Sequence, residues 1–292
     1  MHPAPSVILF STLSGMGLGL LAFLGAGLAV ATGWTAFLWW GLGYALAVGG
    51  LAASTFHLGN PQRALLAFSQ WRTSWLSREA WAAVAALLVL APTALSDLFD
   101  LGLPRVLGQV GAVLALLTVF TTSMIYTQIR AVPRWHHWIT PVLFLSFAIT
   151  GGAMLSGQGW AWVCLIALAP LLLLAWRIGD GQFAKAGQTL GTATGLDRVG
   201  DVQVFEQAHT AGNYLLREMI FVVGRKHARK LRQIAVGLAA VLPALIVALA
   251  PLGPVSVAIA AALHLGGALA QRWLFFAEAE HVVGLYYGKR GS

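Results

Sequence analysis

Val7-Ile8-Leu9-Phe10-Ser11-Thr12-Leu13-Ser14-Gly15-Met16-Gly17-Leu18-Gly19-Leu20-Leu21-Ala22-Phe23-Leu24-Gly25-Ala26-Gly27-Leu28-Ala29-Val30-Ala31-Thr32 runs without one charged side chain. A hydrocarbon core about 30 Å thick takes about 20 apolar residues to cross as a helix. The stretch is long enough, and it lacks the ten-residue alternation of barrel strands. The preceding Met1-His2-Pro3-Ala4-Pro5-Ser6 has no Lys or Arg, and the apolar run exceeds the core of a cleavable signal. The reading is therefore a first transmembrane helix, with Pro and Ser at its start.

The rest of the chain repeats the pattern. Of 292 residues, 58% are hydrophobic and 10% charged, with a mean hydropathy of +0.77. Soluble domains carry about 25% charged residues, so the composition predicts an integral membrane protein that is all α-helical. Eight apolar segments follow from the hydropathy pattern, at 7–32, 35–57, 78–97, 105–128, 138–157, 159–178, 231–251 and 254–279, within one membrane domain spanning 1–292. Gly33, Leu155-Ser156-Gly157-Gln158-Gly159 and Pro251-Leu252-Gly253-Pro254 are tight breaks. The 58–77 and 179–230 connections are long and polar, and each lies between the second and third members of a set of four. That spacing is compatible with two four-helix halves.

Charge sets the expected orientation. With eight spans, sixteen of the Lys and Arg residues fall on the side that carries both termini, and only Arg105 falls on the other. The positive-inside tendency then places both termini in the cytoplasm of a bacterial inner membrane. The net charge of +8 belongs to these membrane loops rather than to a nucleic-acid surface. A single cysteine, Cys164, excludes a disulfide framework and an iron–sulfur cluster ligated within the chain.

Small-residue faces, including Gly15, Gly17, Gly19, Gly25, Gly27, Gly41, Gly43, Gly49 and Gly50, suit close helix packing in lipid. A glycine-lined permeation path is the alternative. Pro92, Pro170 and Pro243 read as kinks without special function. Tryptophans near the segment ends, such as Trp34, Trp71, Trp75, Trp81 and Trp135, read as an aromatic belt. In the 179–230 connection, Asn213–Val223 has a helical pattern, and the basic run Arg225–Arg232 suits anionic lipid or a soluble partner.

Polar chemistry concentrates between the second and third segments, in Ser54-Thr55-Phe56-His57-Leu58-Gly59-Asn60-Pro61-Gln62-Arg63 and Ser69-Gln70-Trp71-Arg72-Thr73-Ser74-Trp75-Leu76-Ser77-Arg78-Glu79. His57 sits at a membrane edge and titrates near neutrality, which suits proton exchange with a quinol hydroxyl. An interfacial histidine bonded to a loop carbonyl is the alternative, and position alone favours it. Glu79 begins the third segment, and an ionisable group at a membrane is a functional candidate. After Ser77 it also fits a first-turn carboxylate favoured by the helix dipole, or a partner for Arg63, Arg72 or Arg78.

The remaining polar residues read more weakly. His264 lies deep in the eighth segment, and a haem paired through it and His57 is disfavoured by their difference in depth. His136 and His137 belong to the basic 4–5 turn; Glu278 and Glu280 read as a solvated helix end or as proton carriers beside His281. Asp97 and Asp100 mark the weakly charged face. Tyr126, Gln128, Arg130 and Trp135 share the side of His57 and complete a pocket there if the helices pack around a ligand.

His57-Leu58-Gly59-Asn60-Pro61-x-Arg63-Ala64, Ser74-Trp75-Leu76-Ser77-Arg78-Glu79, and Ala131-Val132-Pro133-Arg134-Trp135 leading to Thr140-Pro141 resemble the membrane anchor subunit of the dimethyl sulfoxide reductase family. The opening His2-Pro3-Ala4-Pro5-Ser6 and the eight-span layout agree with it. The segments Thr192–Leu196, His209–Met219 and Arg225–Arg232 look like the branch attached to sulfite-oxidising molybdoenzymes that face the cytoplasm.

The resemblance implies a quinone-binding anchor, taking menaquinone or ubiquinone, without haem, metal or iron–sulfur cluster of its own. Its implied partners are a four-cluster iron–sulfur subunit and a molybdopterin catalytic subunit; no nucleic acid is involved. Carried over, the quinone residues are His57 and Glu79, with Arg63 and Arg78 tuning them. Partner docking falls to Arg72, Arg130, Arg134, Arg217, Arg225 and Lys226 on the cytoplasmic face. A secondary transporter is the rival class.

Overall fold

The computed structural model describes residues 1–57, 60–206, 218–219 and 227–287, with His57 and Pro61 described by their backbone alone. Every regular element among the described residues is helical. The long helices are α1 (Pro5–Gly25), α2 (Gly33–Ala53), α3 (Trp75–Phe99), α4 (Val106–Thr127), α5 (Ile139–Leu155) and α6 (Ala161–Lys185). A short α7 (Leu190–Thr194) follows, then α8 (Ala228–Val236), a π-helical turn (Gly237–Val241), α9 (Leu242–Leu249) and α10 (Pro254–Ala277). Two 3₁₀ helices, Ser54–His57 and Pro61–Phe68, connect α2 to α3.

Seven helices are long and apolar enough to cross a membrane, taking α8, the π turn and α9 as one rod. The eighth, α5, is apolar but has 17 residues, the short end of what spans a bilayer. α1 stops at Gly25 rather than near Thr32. Gly27 takes φ +76°, and the amide of Leu28 turns back to the Phe23 carbonyl, which closes the helix with a left-handed glycine cap. α6 continues past 178 to Lys185, into Gly179-Asp180-Gly181-Gln182.

The helices form two four-helix groups with the same pairing. In the first, α1 packs on α2, α2 on α3, α3 on α4, and α4 back on α1. In the second, α5 packs on α6, α6 on the π turn and α9, the α8–α9 rod on α10, and α10 back on α5. The groups meet through α1 and α5, with α4 against α5 and α10 against α1. Exchanging the two groups leaves this pattern of helix pairs unchanged, which agrees with the two four-helix halves.

α1 is the most enclosed helix, with Leu18, Leu20, Leu21 and Leu24 almost without exposure. Its glycines make that possible. A Cβ on Gly19 would fall within bonding distance of the Ala148 carbonyl of α5, and one on Gly17 within 2.3 Å of the Ala47 amide nitrogen of α2. Small residues here let backbones touch, as lipid-embedded helices require.

Met1 and the segment after α10 lie at one end of the bundle. The Met1 ammonium donates to the Ala279 carbonyl at 2.8 Å, and the Val282 amide donates to the Ala131 carbonyl in the 4–5 turn at 2.9 Å. The Tyr286 hydroxyl donates to the Ala193 carbonyl of α7. At the same end, Arg134 and Arg232 clamp Asp180 and Glu278, joining the 4–5 turn, α6, α8 and the end of α10. Burial of Glu278 outweighs the pull of the two arginines and holds its carboxyl above the usual range. His281 is pushed the other way for a base, downward, by burial and by the neighbouring Met1 ammonium. At the opposite end, Asp97 is paired with Arg105 at 2.7 Å and accepts from the Trp40 indole at 3.0 Å.

His264 has a structural partner. Pro243 lacks the N–H that would meet the carbonyl four residues back, which is Ala239 in the π turn. The His264 Nδ1–H donates to that carbonyl at 2.6 Å instead. Pro243 is thus tied to a specific side chain on the next helix, beyond a simple kink.

Candidate functional site

The α3 helix starts earlier than the sequence suggests. Its N-cap is Ser74, whose hydroxyl accepts from the Ser77 amide, and its first residue is Trp75. Glu79 is therefore the fifth helical residue, past the first turn where a carboxylate interacts best with the dipole. It is 4% exposed. None of the salt bridges among the described residues joins it to Arg63, Arg72 or Arg78. Its Oε1 accepts from the Thr122 hydroxyl of α4 at 2.5 Å. Burying a carboxylate in a membrane protein is costly, and one neutral hydrogen bond is a thin return for a purely structural group.

Glu79 lines a cavity of about 350 Å³. Val7 and Phe10 of α1 form one wall, Leu51, Ser54 and Thr55 the next, and Ala64, Ala67 and Phe68 of the second 3₁₀ helix a third. Leu76, Ala80, Ala83 and Val84 of α3, with Ile125 and Tyr126 of α4, complete it. The volume lies within the range of small-molecule sites, and the lining is apolar with few polar groups, as such sites usually are. Tyr126 is held by its ring: Trp135, Phe144, Phe275 and Phe276 all lie with centroids 5.4–5.7 Å away.

The expected residues divide around this cavity. His57 ends the 3₁₀ turn whose Ser54 and Thr55 line the wall, so its backbone is two residues from the lining; its side chain lies outside what the structure describes. Arg63 is exposed on the 3₁₀ helix that lends Ala64 and Ala67. Arg78 lies on a different stripe of α3, donating to the carbonyls of Trp71 and Arg72. Arg72 and Arg130 are exposed, whereas Arg134 is committed to Asp180 and Glu278. Arg217, Arg225 and Lys226 lie outside the described residues.

Of the four residues at the end of α4 and the next turn, Tyr126 alone lines the cavity. Trp135 packs behind it, its ring stacked on Phe275 and its indole N–H donating to the Phe275 carbonyl at 2.9 Å. Sequence reasoning missed Thr122, although Thr121-Thr122-Ser123 is a cluster of hydroxyls inside an apolar helix. Arg272 is also more buried than expected, its guanidinium 3.6 Å from the Phe144 ring centroid and bonded to the side chain of Gln271.

Comparison with known proteins assigns this architecture. A family model described as "DMSO reductase anchor subunit (DmsC)" matches residues 6–168, the span that contains both 3₁₀ helices, Glu79 and Thr122. The chain belongs to the DmsC family of DMSO reductase anchor subunits. A sulfite dehydrogenase subunit of Allochromatium vinosum is 32% identical to it, over 98% of this chain and 99% of that protein. No solved structure matches. As a DmsC-family chain it is an integral membrane protein and the anchor subunit of an oxidoreductase complex. Among the described residues, no group of three or more His, Cys, Asp or Glu is placed to hold a metal ion.

Proposed function

We propose that this anchor subunit binds a membrane quinone in the Glu79 cavity and passes electrons between that quinone and an iron–sulfur cluster of a partner subunit. The observation that carries the reading is the buried Glu79 carboxylate, held on one oxygen by Thr122, on the wall of an apolar cavity beside the Ser54–His57 turn. A quinone ring is flat and apolar with two oxygens at its edge, and an apolar chamber with one ionisable wall group fits it. On oxidation the quinol form supplies two electrons and two protons; reduction of the quinone takes up the same.

The chain's own residues handle the protons. Thr122 fixes Oε1 of Glu79, leaving Oε2 without a hydrogen bond among the described residues to take or give a proton. His57, at the rim, hydrogen-bonds a quinone oxygen and exchanges its proton with the aqueous side. Exposed Arg63 stands at that rim on the cavity's own 3₁₀ helix. Tyr126, clamped by four aromatic rings, holds the floor of the chamber and keeps water from it.

The likeness to the Allochromatium vinosum sulfite dehydrogenase subunit supports a complex that oxidises sulfite, and the resemblance of the motifs implies its four-cluster iron–sulfur and molybdopterin subunits. Arg72 and Arg130, exposed at the end of the bundle that holds Met1, with Arg217, Arg225 and Lys226, would receive those subunits. The excess of Lys and Arg at that end supports a cytoplasmic orientation in a bacterial inner membrane. Gly17, Gly19 and Gly50, among the glycines open to a permeation-path reading, sit instead at close helix crossings, which supports packing over a transport path.

Turnover of the assembled complex separates the halves of the reaction. With a water-soluble dye as electron acceptor, H57A and E79Q retain wild-type rates; with a quinone they lose most of theirs. Quinone-coupled turnover and quinone-site inhibitor binding that survive both substitutions would refute the site.

A further inference from the structure

The face of α3 turned away from the Glu79 cavity carries a second hollow. It has a volume of about 710 Å³ and opens between α3 and α4. Its floor is small, Ala82 and Ala85, and its walls are aromatic, Trp75, Trp81 and Phe120. The walls are fixed. Trp75 and Phe120 meet edge to face at 6.2 Å, and the Trp81 indole donates to the Phe68 carbonyl at 3.0 Å.

Arg78 closes the end of the hollow nearest the membrane edge. Its guanidinium sits 4.3 Å from the Trp75 ring centroid and donates to the Trp71 carbonyl at 3.0 Å and the Arg72 carbonyl at 2.7 Å. A guanidinium has five N–H donors in a planar fork. Two bonds to backbone orient it and leave donors for a ligand. Exposed Arg72 is its neighbour.

We propose that this groove binds a phospholipid with an anionic headgroup. From Arg78 to Ala85 the groove runs about 10 Å down the helix, starting where the tryptophans mark the interface. Its charged end thus lies at the depth of lipid phosphates and its apolar end at the depth of acyl chains. Guanidinium is well matched to phosphate. A soluble subunit does not reach seven residues into a span, and a second copy of this chain would lay an apolar helix against Arg78 and leave its remaining donors unmet. The excess of Lys and Arg at this end of the bundle favours an anionic headgroup over a zwitterionic one. This groove lies on a separate stripe of α3 from the cavity of Glu79, so the proposal stands whether or not that cavity takes a quinone.

The test uses the assembled complex, purified in mild detergent and exposed to mixed micelles containing phosphatidylglycerol and phosphatidylcholine. Native mass spectrometry then counts what stays bound. Phosphatidylglycerol should be retained in preference. R78Q should lower that preference about tenfold or more, the loss expected for a charge-assisted hydrogen bond, with the complex still assembled. A85F, which fills the floor and leaves the cation, should lower retention of both lipids. Equal retention of the two lipids by the wild type, or an unchanged preference in R78Q together with unchanged retention in A85F, would overturn the proposal. So would a dimer mass accompanied by no bound lipid.

Discussion

Thr122 gives a sharp test of the site because it touches the proposed chemistry only through Glu79. Replacing it with valine keeps the shape and removes the hydroxyl that donates to Oε1 at 2.5 Å. A hydrogen bond to an ionised group contributes about 1.5–3 kcal/mol, and each ~1.4 kcal/mol is tenfold in rate. If that hold is needed when Glu79 exchanges its proton, T122V slows quinone-coupled turnover by about 10- to 100-fold. E79Q, which removes proton exchange altogether, should cost about 100-fold or more, the usual contribution of an acid–base group. The decisive measurement is the double variant. Because Thr122 acts through the carboxylate, T122V/E79Q should be no slower than E79Q alone, a large departure from additivity. Dye-coupled turnover, measured on the same preparations, should stay level throughout. If T122V slows the E79Q enzyme as much as it slows the wild type, Thr122 serves packing, and the carboxylate is not the group it holds for function.

Other consequences concern the scaffold. H264F should cost about 1–3 kcal/mol by stranding the buried Ala239 carbonyl; adding P243A, which restores a backbone N–H near that carbonyl, should return part of it in thermal melts of the detergent-solubilised protein. G19V drives a side chain into the Ala148 carbonyl and should destabilise the bundle by about 3 kcal/mol or more, read as a lower melting temperature or failure to assemble. Because the folded protein raises the Glu278 carboxyl above its unfolded value, its stabilisation is fullest below the ordinary glutamate range and is lost as pH rises through the folded value. Melts across that window should therefore show the wild type losing ground to E278Q as pH increases; a gap that is constant with pH would contradict the sign.

Most of the helices are readable because each apolar run is long enough to be committed to the membrane, and the breaks at Gly157 and near Gly253 are local features. The end of α1 is misplaced by hydropathy, which continues through Leu28 to Ala31, while the chain obeys the left-handed glycine at Gly27. The start of α3 is misplaced for a similar reason: Ser74 and Ser77 both suit a helix cap, and the choice between them moves Glu79 from a first-turn carboxylate to a buried wall group. Its partner Thr122 is 43 residues away and becomes relevant only when α3 and α4 pack. Arg134 shows the same limit in reverse. As a cation in a basic turn it reads as a docking residue, but Asp180 and Glu278 reach it from two other helices.

The shared helix pairing of the two groups puts comparable positions beside different surroundings among the described residues. Glu79 is the fifth residue of α3, and Arg232 is the fifth residue of α8, which takes the same place in the second group. Tyr126 and Phe276 are each the next-to-last residues of α4 and α10. In the second group, a hollow of about 30 Å³ lies between α5, α6 and α10, bounded by Trp176, Phe275 and the clamp of Arg134 on Glu278. In the first group, the hollow of about 350 Å³ is lined by the alanines Ala64, Ala67, Ala80 and Ala83. In the second group Arg232 is paired with two carboxylates; in the first, Glu79 is bonded to Thr122 among the described residues. A carboxylate kept short of partners beside empty apolar space fits a place where a ligand supplies what the protein leaves out.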